Sequence, residues 1–436
     1  MKSNTRLLLT ISAAIASISQ GFDDGRIITE EGVDDGPIMT EEEILAMMPD
    51  DGGHLIESQI SPDPYDGQDP LPLILDGTFS LVNIFIPTGA LKPGETDTYG
   101  ENIRADFCAM DYSEQKKDPS SAPMHRDIMG KIKQCTEHRT SFPLADIVAE
   151  AREFDSPANA ATRSMDVKGI VYHLPKSGSS VISNALVAAS PSTTRVISES
   201  NVLTNILRAC RTAPIDCSKV LQSKVLSDAL YMLGRTNDPQ EENLYLRIDP
   251  VGALEMDVLH DAFEEAKKPN WIFVERNADE VLSKVLEGTA DSRYYMKSKK
   301  NPPAALTQYV HVVSGNTVTL TEASDEEVIS ATLGAIVNKA LKENAASGRG
   351  KFVDYEDDIL NTENFYKVLE FLGVDMEDSA VREAVDAEKA KRGNGKLSGQ
   401  AWSLDTVTAA STKVASANGL YLTHEIERVN DVRRRY

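Results

Sequence analysis

The segment "PKSGSS", Pro175 to Ser180, places one lysine, one glycine and three serines directly behind the apolar run "VKGIVYHL". The helix-like "SSVISNALVAAS" follows, with an apolar stripe at Val181, Ile182, Ala185, Leu186 and Ala189. A strand, a tight turn and a helix start would present several amide N–H groups, and the helix dipole favours negative charge there. Gly178 and the small serines allow a phosphate to approach the backbone. Lys176 adds a mobile cation, and the hydroxyls of Ser177, Ser179 and Ser180 add donors. Anion binding, of phosphate in particular, is the chemistry these residues suit. The alternative is a plain strand-to-helix turn with a surface lysine. A Walker A loop is excluded, because GxxxxGK[ST] sets its lysine after the second glycine and Lys176 precedes Gly178.

Two further groups could serve such a site. Arg276 follows the strand-like "WIFVE", where a side chain at the carboxyl edge of a sheet would face a ligand crevice. Its alternative role is an ion pair with Glu280, four residues on. Glu199, in "RVISESNVLTNIL", is a candidate base whose pKa burial in a cleft would raise. A solvated or helix-capping glutamate is the other reading. His173 lies inside the strand before the loop and reads as a core histidine, and His260 as a packed or solvated helix residue.

"PKSGSS" after an apolar strand resembles the 5′-phosphate loop of the sulfotransferase family, PK[SA]G[ST][ST]. The stretch "LYLRIDPVGALEMDVLHDAFEEAKKPNWIFVERNADEVLSKVLEG" is similar to that family's second segment, which leads to RxPxDxxxS. The resemblance spans about Val167 to Arg392 and is closest in style to Golgi and bacterial-type members with a glutamate base. It implies a P-loop sulfotransferase fold and 3′-phosphoadenylyl sulfate as co-substrate, with no metal. On this resemblance Lys176 and the loop residues Ser177, Gly178, Ser179 and Ser180 hold the 5′-phosphosulfate, and Arg276 grips the 3′-phosphate. Glu199 resembles the base of carbohydrate and tyrosylprotein sulfotransferases. Two positions depart from the pattern. Ala278 replaces the family proline, and Lys284 stands where the serine belongs, with Ser283 one position earlier. About 100° of helical rotation separates those two, so either Lys284 substitutes or a one-residue shift brings in Ser283. Lys391 and Arg392, in "KAKRGNGK", are candidates for the basic loop that closes over the 3′-phosphate; a frayed basic helix end is the alternative.

The elements that must position these residues alternate strand and helix. "LYLRI", "WIFVE" and "KFVDY" read as strands, and "GALEMDVLHDAFEEAKK" as a helix between two of them. "SDEEVISATLGAIVNKALKENA" opens on a capping box, Ser324 with Glu327, and "NTENFYKVLEFLG" stops at Gly373. The expected fold is a three-layer α/β/α domain with a mostly parallel central sheet, plus an N-terminal extension. Within that extension "TFSLVNIFIP" predicts a strand, and "PMHRDIMGKIKQC" and "PLADIVAEAREF" predict helices. The expected boundaries are a signal peptide at 1–20, an acidic tail at 21–75, an extension or cap at 76–165, the sulfotransferase-like domain at 166–400 and a C-terminal segment at 401–436.

Charge and cysteine narrow the class. The 436 residues carry a net charge of −23, and 15 acidic residues against Arg26 alone lie between Gly21 and Pro70. That run reads as a solvated, disordered tail. No basic stripe is present to displace counterions, so nucleic acid is not an expected partner. The expected partners are a nucleotide co-substrate and a hydroxyl-bearing acceptor. Lys2 and Arg6 precede the apolar Leu7–Ile18, which suits a signal peptide and falls short of the ~20 residues a membrane span needs. No stable membrane span is expected, and the Golgi lumen or the exterior is the expected location. Four cysteines would then pair, Cys210 with Cys217 and Cys108 with Cys135 by proximity. No His/Cys spacing recommends a metal site. The function expected is transfer of a sulfuryl group to a hydroxyl of a carbohydrate, a tyrosine or a small alcohol. The alternatives are a non-catalytic binding protein on the same fold and a P-loop kinase or nucleotide hydrolase.

Overall fold

The computed structural model describes residues 65–434, except 66, 95–97, 133–134, 137–138, 156–162, 212–216, 289–293, 297–298, 300–301, 316–317 and 392–419. The expected signal peptide, most of the acidic tail and Arg392 lie outside the described residues, but the tail's expected end at 75 is too late, since Pro70–Leu75 is helical and Ile74 is buried in the core.

Chain order begins with β1 (Ser80–Phe85), β2 (Arg104–Cys108), β3 (Thr140–Pro143), α1 (Leu144–Phe154) and β4 (Arg163–Ser164). Next come β5 (Val167–His173), α2 (Ser179–Ala189), β6 (Thr194–Ser198), α3 (Asn201–Arg208), α4 (Lys219–Leu233), β7 (Arg235–Thr236) and β8 (Asn243–Arg247). The chain continues through β9 (Asn270–Glu275), α5 (Ala278–Glu287), α6 (Asp325–Ser347), β10 (Gly350–Asp354), α7 (Thr362–Phe371), α8 (Ser379–Ala390) and α9 (Leu420–Arg433). The short helix Pro70–Leu75 precedes β1, the helix Ala304–Ser314 lies between α5 and α6, and shorter helical turns intervene elsewhere.

Five strands form the central sheet in the order β10-β9-β5-β8-β6, and every pairing is parallel. The α/β expectation is met. The strand runs are apolar on both faces because helices cover both. Val171, Val196, Ile272, Val274 and Val353 pack with Ile182, Leu186, Phe365, Leu369 and Val385 of α2, α7 and α8. The alternate residues Ile170, Tyr172, Leu246, Trp271 and Phe273 pack with α3, α4, α6 and α9. That second cluster also takes in Leu81, Ile84, Ala105 and Phe107. The small antiparallel sheet β1-β2-β3 is therefore part of the same core as the main sheet.

From β5 the chain goes outward to the edge strand β6, returns to β8, then crosses to β9 on the other flank of β5. Such a reversal opens a crevice at the carboxyl end of the central strand, where helices diverge to opposite faces. The loop after β5 sits there.

Several expected elements need correction. "GALEMDVLHDAFEEAKK" forms no continuous helix: 3₁₀ turns at Pro250–Glu255 and Glu265–Lys267 bracket the short helix Met256–Asp261. Asp249 accepts from the Val251 and Gly252 amides and, with Pro250, fixes a tight turn that the apolar period does not reveal. In "PMHRDIMGKIKQC" the helix that begins at His125 ends at Met129 rather than running through the segment. The capping box at Ser324 and Glu327 is present, and Gly373 takes a left-handed conformation after α7. Both disulfides join the expected partners, Cys108–Cys135 and Cys210–Cys217. Among the described residues no helix is long and apolar enough to cross a membrane.

Candidate functional site

The loop Leu174–Gly178 leaves β5 in a strained path. Among the described residues the non-glycine positions with positive φ are Lys176, at 58°, and Glu199, at 50°. A left-handed L-residue costs roughly 1–2 kcal/mol, and such strain clusters at functional sites. Gly178 is left-handed as well, at 89°, and caps α2. A Cβ there would lie 2.8 Å from the Tyr355 ring, so glycine is required by both conformation and space.

The serines divide. Ser177 is fully buried and its hydroxyl donates to the Leu174 carbonyl at 2.7 Å, which closes the loop on itself. It is thereby removed from the expected set of hydroxyl donors to a ligand. Ser179 is buried too. Lys176 is exposed, and Gly178 and Ser180 are half-buried, so the loop opens to solvent through these three.

Arg247 completes this end of the site. It is the last residue of β8, 2% exposed, and its Nη1 donates to Ser180 Oγ at 2.7 Å. Its Nη2 reaches Glu199 Oε1 at 2.5 Å and Met124 Sδ at 2.8 Å. Sequence reasoning missed it, although a charged residue closing the apolar "LYLRI" is the kind of departure that marks a site. Met124 brings the N-terminal region to the site's wall. His173, at the end of β5, directs Nδ1 at the Leu174 carbonyl and holds Nε2 3.3 Å from Glu199 Oε1. It is buried, as a core histidine would be, but it belongs to this cluster.

Glu199 continues the sheet, its amide donating to the Arg247 carbonyl at 2.7 Å. The expectation of a raised pKa does not hold. Burial pushes the carboxyl up, but the Arg247 guanidinium and His173 outweigh it and hold Glu199 well below the usual carboxylate range. The contacts with Arg247 and His173 both fall on Oε1. His260 lies elsewhere, between the Tyr172 hydroxyl at 3.1 Å and Glu343 at 2.8 Å, in a packed role.

Arg276 forms the other end. It is 9% exposed and its guanidinium stacks on the Tyr355 ring, 4.3 Å from the centroid. The same ring packs on Gly178. Arg276 and the Lys176 loop thus share one neighbour. Tyr355 opens a π-helical turn after β10, Tyr355–Ile359, a feature frequent at functional sites. The sequence reading took it for the end of a strand. Arg276 also pairs with Glu280, as the alternative reading had it, and with Glu356 at 3.3 Å.

The remaining candidates lie apart. Ser283 Oγ and Lys284 Nζ both approach Glu287, at 3.4 and 2.9 Å, toward the far end of α5 from Arg276. Lys391 binds Asp118 at 3.0 Å and Glu388 at 2.8 Å. Among the described residues no group of His, Cys, Asp and Glu is arranged to hold a metal ion.

No protein-family model matches the chain. No curated protein sequence matches it either. Solved structures similar to it include the sulfotransferase STF9 from Mycobacterium avium, with 10% identity and a TM-score of 0.34 over 69% of this chain and 83% of that one. The sulfotransferase domain of a Synechococcus olefin synthase has 14% identity and a TM-score of 0.32, over 61% of this chain and 95% of its own. The sulfotransferase STF1 from Mycobacterium tuberculosis has 9% identity and a TM-score of 0.35, over 62% and 82%. The chemistry that follows is drawn from this chain's own residues.

Proposed function

We propose that this protein is a sulfotransferase that binds 3′-phosphoadenylyl sulfate and moves its sulfuryl group to a hydroxyl acceptor. The observation that carries the reading is the shared contact of Gly178 and Arg276 with Tyr355, which joins two candidate anion-binding features 98 positions apart at the carboxyl edge of one parallel sheet. The donor fits the residues present. The first-turn amides of α2 have no side-chain cap, and Ser177 is turned back to Leu174. They and Lys176 would hold the 5′-phosphosulfate, with Arg247 supporting the loop through Ser180. Arg276 would hold the 3′-phosphate. The expected Ser283, Lys284, Lys391 and Arg392 contributions have less support, since the first three are directed at acidic partners.

Sulfuryl transfer asks a protein to align reactants and to stabilise charge on the departing and equatorial oxygens. The acceptor oxygen forms a bond to sulfur as the bond from sulfur to the phosphate oxygen breaks, and the Lys176 ammonium compensates the charge on the departing phosphate. The acceptor proton goes to Glu199 at Oε2, the oxygen turned away from Arg247 and His173. An anionic glutamate with a depressed pKa is a weak base but a constant one, ionised throughout the neutral range. Two disulfides suit an oxidising compartment, which favours the secretory route.

A radiolabelled sulfate-transfer screen across sugar, tyrosine and small-alcohol acceptors tests the proposal. Transfer that depends on Lys176 supports it. Full transfer by a folded Lys176→Ala variant refutes the mechanism. The ion pairs already made by Arg276 and Glu199 favour one second reading, a non-catalytic nucleotide-binding protein, which would bind the 3′-phosphorylated nucleotide and transfer nothing.

A further inference from the structure

Two neighbouring strands end at the same level behind the Arg276 end of the site. In the parallel pairing of β10 with β9, Asp354 is registered beside Glu275, and Tyr355 and Arg276 follow them directly. Side chains alternate between the faces of a sheet. Trp271 and Phe273 lie in the cluster with α6 and α9, so Glu275 turns to that face, whereas Tyr355 packs on the cluster with α2 and α7. The registered pair sets two carboxyls side by side, a destabilising arrangement in a ladder. The turn adds more acid. Asp354 accepts from the Asp357 amide at 2.7 Å and Asp358 from the Asp354 amide at 2.8 Å, which closes the π-helical turn reciprocally. Arg433 of α9 reaches all of these acids: it lies 3.5 Å from Glu275, 3.6 Å from Asp354, 3.2 Å from Asp357 and 3.3 Å from Asp358. Its helix is anchored on the same face by Leu422, Ile426 and Val429 in the core and by the Leu422 amide, which donates to Ser330 Oγ at 3.3 Å.

We infer that Arg433 is a positioning residue for the proposed nucleotide site: from the opposite face of the sheet it neutralises the turn that presents Tyr355, and so keeps Tyr355 stacked on Arg276. The inference rests on the functional reading above and couples α9 to recognition of the 3′-phosphate. Without the guanidinium, Asp354 and Asp358 face one another and Glu275 with no cation between them, and repulsion opposes the two bonds that shape the turn. Arg276 then loses its stacking ring. The loop that would hold the 5′-phosphate is closed by Ser177 on Leu174, a bond the turn does not enter. The two ends of the nucleotide should therefore respond differently to loss of Arg433.

Calorimetric titration of the full chain with adenosine 3′,5′-bisphosphate and with adenosine 5′-monophosphate tests this. Arg433→Met should lower bisphosphate affinity about tenfold and leave monophosphate affinity within about twofold. Asp354→Asn keeps an oxygen to cap the turn but removes a charge, so in the Arg433→Met chain it should restore the preference for the bisphosphate. Amide exchange of the intact chain needs no variant. Because coupling is reciprocal, saturating bisphosphate should slow exchange in α9 more than saturating monophosphate does. No loss, an equal loss for both nucleotides, a selective loss that Asp354→Asn fails to restore, or equal slowing of α9 by both overturns the role of Arg433 and leaves the sulfotransferase reading standing. Absence of any 3′-phosphate preference in the intact chain overturns both.

Discussion

The two ends of the candidate site gather charge in opposite ways. At the Lys176 end the fold concentrates donors: a left-handed lysine, a helix start without a side-chain cap, and a buried arginine propping Ser180. Its one carboxylate, Glu199, faces Arg247 and stays ionised. At the Arg276 end the fold sets two guanidiniums, Arg276 and Arg433, among a larger number of acids. Burial and the neighbouring Asp354 push Glu275 up to about 8, against the opposing pull of Arg433. One end gathers hydrogen-bond donors, and the other sets its guanidiniums among carboxylates. The difference teaches that a basic residue at a sheet edge is only as available as its neighbours allow.

The comparison can be broken most severely by Lys176→Ala. It should lower sulfuryl transfer on the order of 10²–10³-fold with an unchanged far-ultraviolet spectrum, since an exposed loop lysine contributes little packing. Equal loss of folding would show that the loop is structural. Arg247→Leu comes next: it takes the guanidinium from the half-buried Glu199, which keeps His173, and should cost about 1–3 kcal/mol in denaturant unfolding. The sign of the Glu199 contribution follows from its depressed pKa. Its stabilisation is present above the unfolded value, about 4.3, and is lost as pH falls from there through the lower folded value, so acid destabilisation of the intact chain should set in as pH drops below about 4.3.

Arg276→Ala should cost roughly 1.5–3 kcal/mol of binding for the 3′-phosphorylated nucleotide and nothing for its 5′-monophosphate counterpart, read by calorimetry. A uniform loss for both would place Arg276 in the loop's support. The smallest expected effect is Glu275→Gln, a gain on the order of 1–3 kcal/mol at about pH 8 that vanishes in acid. A raised folded pKa means the intact chain loses stability as pH rises from the unfolded value toward 8, and the glutamine variant should not follow that decline in a thermal melt.

Much of this was legible in advance at the Lys176 end, because its signals are local. An apolar run, a Gly/Ser turn and an apolar stripe occupy consecutive residues, and backbone geometry converts them directly into a strand, a loop and a helix start. Arg276 was also found, one residue beyond its strand. Its partner Glu356 and the stacking ring of Tyr355 were not, because they arrive from β10, about eighty residues later in the chain. Arg247 escaped for the same reason. Nothing within "LYLRI" says that β8 lies between β5 and β6, which is what puts its last side chain against both Ser180 and Glu199. The broken helix after Asp249 was misread because an apolar period counts buried positions and is blind to a carboxylate capping a tight turn.

By itself the sequence determined most of the strands and helices of the central sheet, where the Gly/Ser turn after its first strand falls, and that its lysine lies outside a Walker loop. These depend on contacts within a few residues, and side-chain type and spacing specify such contacts. The tertiary structure alone decided which charges meet: Glu199 with Arg247 rather than in a proton-raising cleft, and Arg276 with two carboxylates and a tyrosine ring. Coulomb energy depends on distance in space, and only the order of strands in the folded sheet sets that distance.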